Sequence, residues 1–179
     1  MALFKNLPIS TRRLFLISGA AMLGFMFLMR LLIAPLSPGE IINFEMAKET
    51  GIASHLMAEW SSDPGIKMDK AFLSIELDFV FIILYALFFY LGARFMGGLS
   101  GNPVMEKAGR FFSWMALFAS LCDIIENICM LATLSGEPVS WVVHLTYDMA
   151  IIKFSLLMVA AFFMVIGFLV WLMKSPGSE

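Results

Sequence analysis

Four long apolar runs constrain what this chain can fold into. They cover about residues 14–34, 71–95, 108–134 and 141–173, and about 20 apolar residues suffice for a helix to cross a bilayer. Inside hydrocarbon every backbone N–H and C=O must be satisfied within the segment, so such runs read as spanning α-helices. The whole chain agrees. Its 179 residues are 60% hydrophobic and 15% charged, against about 45–50% and about 25% for soluble domains. The expected fold class is an all-α integral membrane protein, a four-transmembrane-helix bundle forming one membrane domain over residues 1–179. The formal net charge of −2 gives no reason to expect nucleic acid. The partner that composition implies is the lipid bilayer.

The one long connection, about residues 35–70, has structure of its own. Ser37-Pro38-Gly39-Glu40 is a strong helix start: Ser caps, Pro fits the first turn and Glu completes a capping box. Ile41, Phe44, Ile52, Leu56 and Trp60 are roughly helically spaced among Glu45, Lys48, Glu49 and Glu59. They predict one amphipathic helix over about residues 38–60, lying in the membrane interface. Asp63-Pro64-Gly65 breaks it. Gly97-Gly98-Leu99-Ser100-Gly101 reads as the loop after the second span, and Ser135-Gly136-Glu137-Pro138 as the tight turn after the third. Ala20 and Gly24 on the first span let another helix approach closely, which leaves a homo-oligomer open.

Charge orients the chain. Lys5, Arg12, Arg13, Arg94, Lys107, Arg110 and Lys174 fall on one side of the spans; Arg30, Lys48, Lys67 and Lys70 fall on the other, diluted among acids. The positive-inside rule puts both termini in the cytoplasm, in a cell (inner) membrane, and the long connection outside. The Arg12-Arg13 pair is read as the anchor of the first span, not as an export signal. Cys122 and Cys129 are seven apart on one predicted helix, about 10 Å at 1.5 Å per residue, too far for a bridge.

Ionisable residues inside the spans are costly, roughly 2.5–3.5 kcal/mol for an Asp at a helix centre on insertion scales. Counted by depth, Arg30, Glu76 with Asp78, Asp123 with Glu126, and His144 with Tyr147, Asp148 and Lys153 fall in the same outer slab of four helices. The stretches 14–29, 79–93 and 154–173 hold no ionisable group except tyrosines. A channel or simple transporter needs a polar path across the full thickness, so the pattern predicts a one-sided pocket opening outward. Asp123, Glu126 and Asn127 share a face, being three and four apart. Ala116 and Ser120 extend it. His144 and Asp148 share a face of the fourth span. Glu76 lies about 200° from Asp78, so both cannot point to one centre.

Five acids (Glu76, Asp78, Asp123, Glu126, Asp148) stand against two permanent cations (Arg30, Lys153) and one histidine. The surplus carboxylates must hold a proton, water or a cation. The candidate binding residues are Asp78, Glu76, Asn127, His144, Tyr147, Asp148, Lys153, Arg30 and Glu45. A mixed N/O metal site would draw on His144, Asp148, Asp123 and Glu126. The paired Glu-x-x-His motifs of carboxylate-bridged di-metal bundles are absent from the sequence, and it names no cofactor. Trp60, Trp141 and Tyr147 read as interfacial anchors, or as walls for a cationic headgroup.

Asn43-Phe44-Glu45, Leu77-Asp78-Phe79 with Tyr85, and Asp123-x-x-Glu126-Asn127 resemble a group of small four-span bacterial membrane proteins. That resemblance implies topology alone. A more distant likeness is to the EXPERA group of sterol isomerases and sigma-2-type receptors, which implies four spans, a long first loop and acids facing an outer cavity for hydrophobic amines and sterols. Glu76 falls where that group has an acid early in its second span. Arg30 stands where the group has an acid near the end of its first.

Three functional classes remain. The leading one is a binder of a lipid headgroup or other amphipathic small molecule, cationic ones included. The second is an enzyme acting on a lipid or sterol by acid/base or metal-assisted chemistry, with Glu126 and Asp123 as catalytic acid/base candidates and His144 and Asp148 as partners. The third is a structural subunit whose polar network is interhelical glue.

Overall fold

The structure is a computed structural model describing residues 9–62, 65–99 and 101–173. Among these the chain is all-helical. Its six helices are α1 (Ile9–Leu32), α2 (Pro38–Glu45), α3 (Thr50–Ser62), α4 (Ile66–Leu99), α5 (Pro103–Leu134) and α6 (Ser140–Met173). Four of them, α1, α4, α5 and α6, are long and apolar enough to cross a membrane. Half of the most apolar stretch of α5 is buried, against 11% of that of α1. Lys5, Lys174, Ser100 and the Asp63-Pro64 break lie outside the described residues.

Contacts divide the chain into two compact units. The first takes in Met1–Met22, Leu84–Ala119 and Phe154–Glu179. Its packing is aromatic and close. Phe15 stacks on Phe88 and Phe95, and Phe112 on Phe163 with ring centroids 4.5 Å apart. Small residues let backbones approach: a Cβ on Gly109 would lie 2.6 Å from the Ala93 carbonyl oxygen and 3.1 Å from the Gly97 Cα. This corrects the sequence reading of residues 97–101 as a loop. The helix α4 runs through Gly97 and Gly98 to Leu99, because the glycines serve helix approach and not a turn. Gly101, at φ 60°, supplies the left-handed residue of the connection. The unit is dry. Its buried polar residues among those described are Ser18 and Ser113, each bonded to carbonyls of its own helix.

Gly109→Ala is expected to lose about 1–3 kcal/mol by overpacking, because backbone on both sides has nowhere to go. Gly24, with nothing within 4 Å of a built Cβ, is the control: Gly24→Ala is expected to gain up to about 1 kcal/mol from helix propensity. Thermal melting of the two variants reads the difference.

The second unit takes in Leu23–Ile83 and Ser120–Lys153. It contains α2 and α3, which the sequence predicts as one helix. The predicted start is right: Ser37 and Glu40 form a capping box with Pro38 in the first turn. The predicted continuity is wrong. In a continuous helix Phe44 and Trp60 would lie about 24 Å apart at 1.5 Å per residue; their rings are 5.3 Å apart. A straight helix would also carry Lys48 on the face of Phe44, four residues on. The chain instead breaks after Glu45, with the Met46 and Ala47 N–H groups donating to Ile42 and Phe44 carbonyls. Helix α3 then runs back. Leu36, Ile41, Phe44, Ala47, Ala53 and Trp60 form one apolar core with Ala71 and Ile75 of α4, Met130 and Leu134 of α5, and Val143 of α6. The connection is a packed hairpin on three long helices.

Candidate functional site

Beneath that hairpin lies a buried charged centre. Lys153 of α6 is 5% exposed. Its Nζ donates to Asp123 Oδ1 at 2.7 Å and to Glu126 Oε1 at 2.8 Å, both one turn apart on α5. These lengths are those of charge-assisted bonds. Glu45 Oε2, brought in by the last residue of α2, stands 3.7 Å from the same nitrogen. Asn127, on the face of Asp123 and Glu126, donates from Nδ2 to Asp78 Oδ2 of α4 at 2.8 Å. Four carboxyl groups from three helices therefore gather about one ammonium and one amide. All belong to the second unit.

The centre is not neutralised by Lys153 alone. With every carboxyl ionised, Glu45 Oε2 and Glu126 Oε2 are buried without a hydrogen-bond donor, an arrangement that costs about 1–3 kcal/mol per group or more for charges. The two side chains lie within hydrogen-bonding reach of each other. Two carboxylates repel; one proton between them makes a bond. Burial is the largest influence on Glu45 and raises its pKa above 4.5; nearby Asp123 raises it too, while Lys153 and the hydrogen bond with Glu126 oppose.

A second pair ties the hairpin at its other end. Lys67 Nζ donates to Glu40 Oε1 at 2.9 Å, and the Ser37 N–H donates to Glu40 Oε2. The Lys67 bond, followed by that N–H, holds Glu40 down at about 2. Lys70 Nζ donates to the Leu32 carbonyl, covering one of the open carbonyls at the end of α1.

No protein-family model, no curated protein and no solved structure matches the chain.

The sequence-derived candidates thus separate into two sets. Asp78, Asp123, Glu126, Asn127, Lys153 and Glu45 come together. Glu76, His144, Asp148 and Arg30 are exposed, so the structure does not bring them to the buried centre. Tyr147 is half-buried, with the Lys48 ammonium 5.4 Å from its ring centroid. The metal set proposed from sequence is split, with Asp123 and Glu126 buried and His144 and Asp148 exposed. Among the described residues no three His, Cys, Asp or Glu side chains are grouped to hold a metal ion. The same split removes His144 and Asp148 as acid/base partners of Glu126. Trp60, read from sequence as an interfacial anchor, is fully buried, because the hairpin folds it inward. Trp141 is 68% exposed.

The signal for the split was present in the chain. At about 100° per residue, Lys153 lies about 180° from His144 and about 140° from Asp148 on one helix. Only one of those faces points inward. Val143, Thr146, Ala150 and Lys153, spaced three, four and three, are the buried stripe. Glu45 was harder to find, since its position depends on the break between α2 and α3.

Proposed function

We propose that this chain is a four-span membrane protein, both termini in the cytoplasm, that binds the cationic group of an amphipathic small molecule or lipid headgroup at the Lys153 centre. One observation carries the reading: four carboxyls, Glu45, Asp78, Asp123 and Glu126, gather about one resident cation, so that acids remain in excess even with one proton shared between Glu45 and Glu126. If the network served only to hold helices together, well-packed apolar residues would do as well or better. A ligand ammonium supplies positive charge to balance the excess, and an acyl chain suits the apolar helices around it. The charge-free burial of the first unit supports one-sided binding in place of transport.

The test uses the full chain in lipid nanodiscs, titrated with dodecylamine and, separately, with dodecanol. Saturable binding of the amine with none for the alcohol is expected, and Glu126→Gln is expected to weaken it at least tenfold, the equivalent of about 1.4 kcal/mol. Equal behaviour of amine and alcohol would overturn the reading. It would favour the structural alternative, which the short Lys153 bonds to Asp123 and Glu126 support.

A further inference from the structure

We infer that Glu45 and Glu126 form a proton-binding site that holds the α2–α3 hairpin shut over the Lys153 centre. The inference rests on how the hairpin is attached and does not depend on which ligand the centre takes. Glu45 is the hairpin's residue at the centre and the most loosely held of the three carboxyls on Lys153, at 3.7 Å against 2.7 and 2.8 Å. Both partners of the proton site are more than nine-tenths buried, Glu45 at 8% and Glu126 at 0% exposure. The Oε2 atom of each is buried without a hydrogen-bond donor. The charged groups that act on Glu45 are on the long helices: Lys153 on α6, Asp123 and Glu126 on α5, and Asp78 on α4. Three of these four are acids. Once Glu45 loses its proton, one ammonium 3.7 Å away is all that opposes their repulsion and the loss of water.

The direction follows from linkage. Burial raises the Glu45 pKa in the shut state above 4.5, while in an open hairpin the carboxyl meets water. Closure is therefore strongest below 4.5 and is lost as pH rises toward the shut-state value. One proton changes the opening constant by about tenfold per pH unit across that window. Glu40, on the same helix, has the opposite sign: its pKa is lowered to about 2, so its contribution is complete above 4.5 and falls only below. Glu40 cannot produce an opening as pH rises above 4.5.

Hydrogen exchange of the full chain in nanodiscs, from pH 5 to 9 and corrected for intrinsic rates, tests this. Protection of the Thr50–Ser62 amides should fall with pH by up to tenfold per unit, while peptides from 103–119 stay protected. Glu45→Gln, an uncharged mimic of the protonated group, should keep the hairpin protected and flatten the profile. Glu40→Gln should retain the slope. A flat profile in the unsubstituted chain, or an unchanged slope in Glu45→Gln with 103–119 still protected, would overturn the inference. If Glu45→Gln loses protection everywhere, the unsubstituted profile together with Glu40→Gln still decides: a slope that disappears with Glu40 assigns the switch elsewhere.

Discussion

Lys153→Met destabilises the protein by about 3–5 kcal/mol, the range for removing one partner from a buried ion pair. The substitution keeps the length and most of the volume of the side chain. It removes the one charge that faces Asp123, Glu126 and Glu45 together. The loss is therefore electrostatic, and thermal denaturation in detergent reads it as a large fall in midpoint, accompanied by poor recovery of folded protein. Exposed charges supply the contrast. The Arg110–Glu106 pair is half exposed on α5, and neutralising either member is expected to change stability by less than about 1 kcal/mol.

The second large effect lies in the hairpin. Trp60 is fully buried against Phe44 and packs in the core shared with α4, α5 and α6. Trp60→Ala leaves a cavity costing about 3–5 kcal/mol, concentrated in α2 and α3. Limited proteolysis between residues 46 and 62 reports it directly. The indole Nε1 is buried without an acceptor, so no hydrogen bond is lost with it. Trp60→Phe is accordingly expected to retain most of the stability, because an unpaired donor leaves with the lost volume. A full-size loss in Trp60→Phe would mean that the indole nitrogen has a role beyond packing.

Both effects show where the sequence was legible and where it was not. The long apolar runs required helices because hydrocarbon offers the backbone no partners, and four helices of suitable length follow. Ser37 to Glu40 is a local signal, and the capping box forms as read. Asp123, Glu126 and Asn127 share a face by spacing alone, and all three are buried. The failures share one cause. Depth along a helix places a residue at a level; it does not say which way the residue points. His144 and Lys153 were grouped by level, and the helix sends them to opposite sides. The break between α2 and α3 is a tertiary choice: packing Phe44 on Trp60 outweighs continuing one helix, and no local stop signal marks it. Glu45 reaches Lys153 only through that choice. Gly97 and Gly109 carry the same lesson, since glycine marks turns and close helix contacts alike.

The central claim is that Lys153 is held in place by the carboxylates of α5 and is there to neutralise them. The measurement that tests it most directly is the thermal midpoint of the triple variant Lys153→Met, Asp123→Asn, Glu126→Gln beside that of Lys153→Met alone. With the two acids made neutral, the buried methionine no longer leaves their charges uncompensated, and most of the lost stability should return. If the triple variant melts no higher than Lys153→Met, the loss came from packing and the account of the centre is wrong.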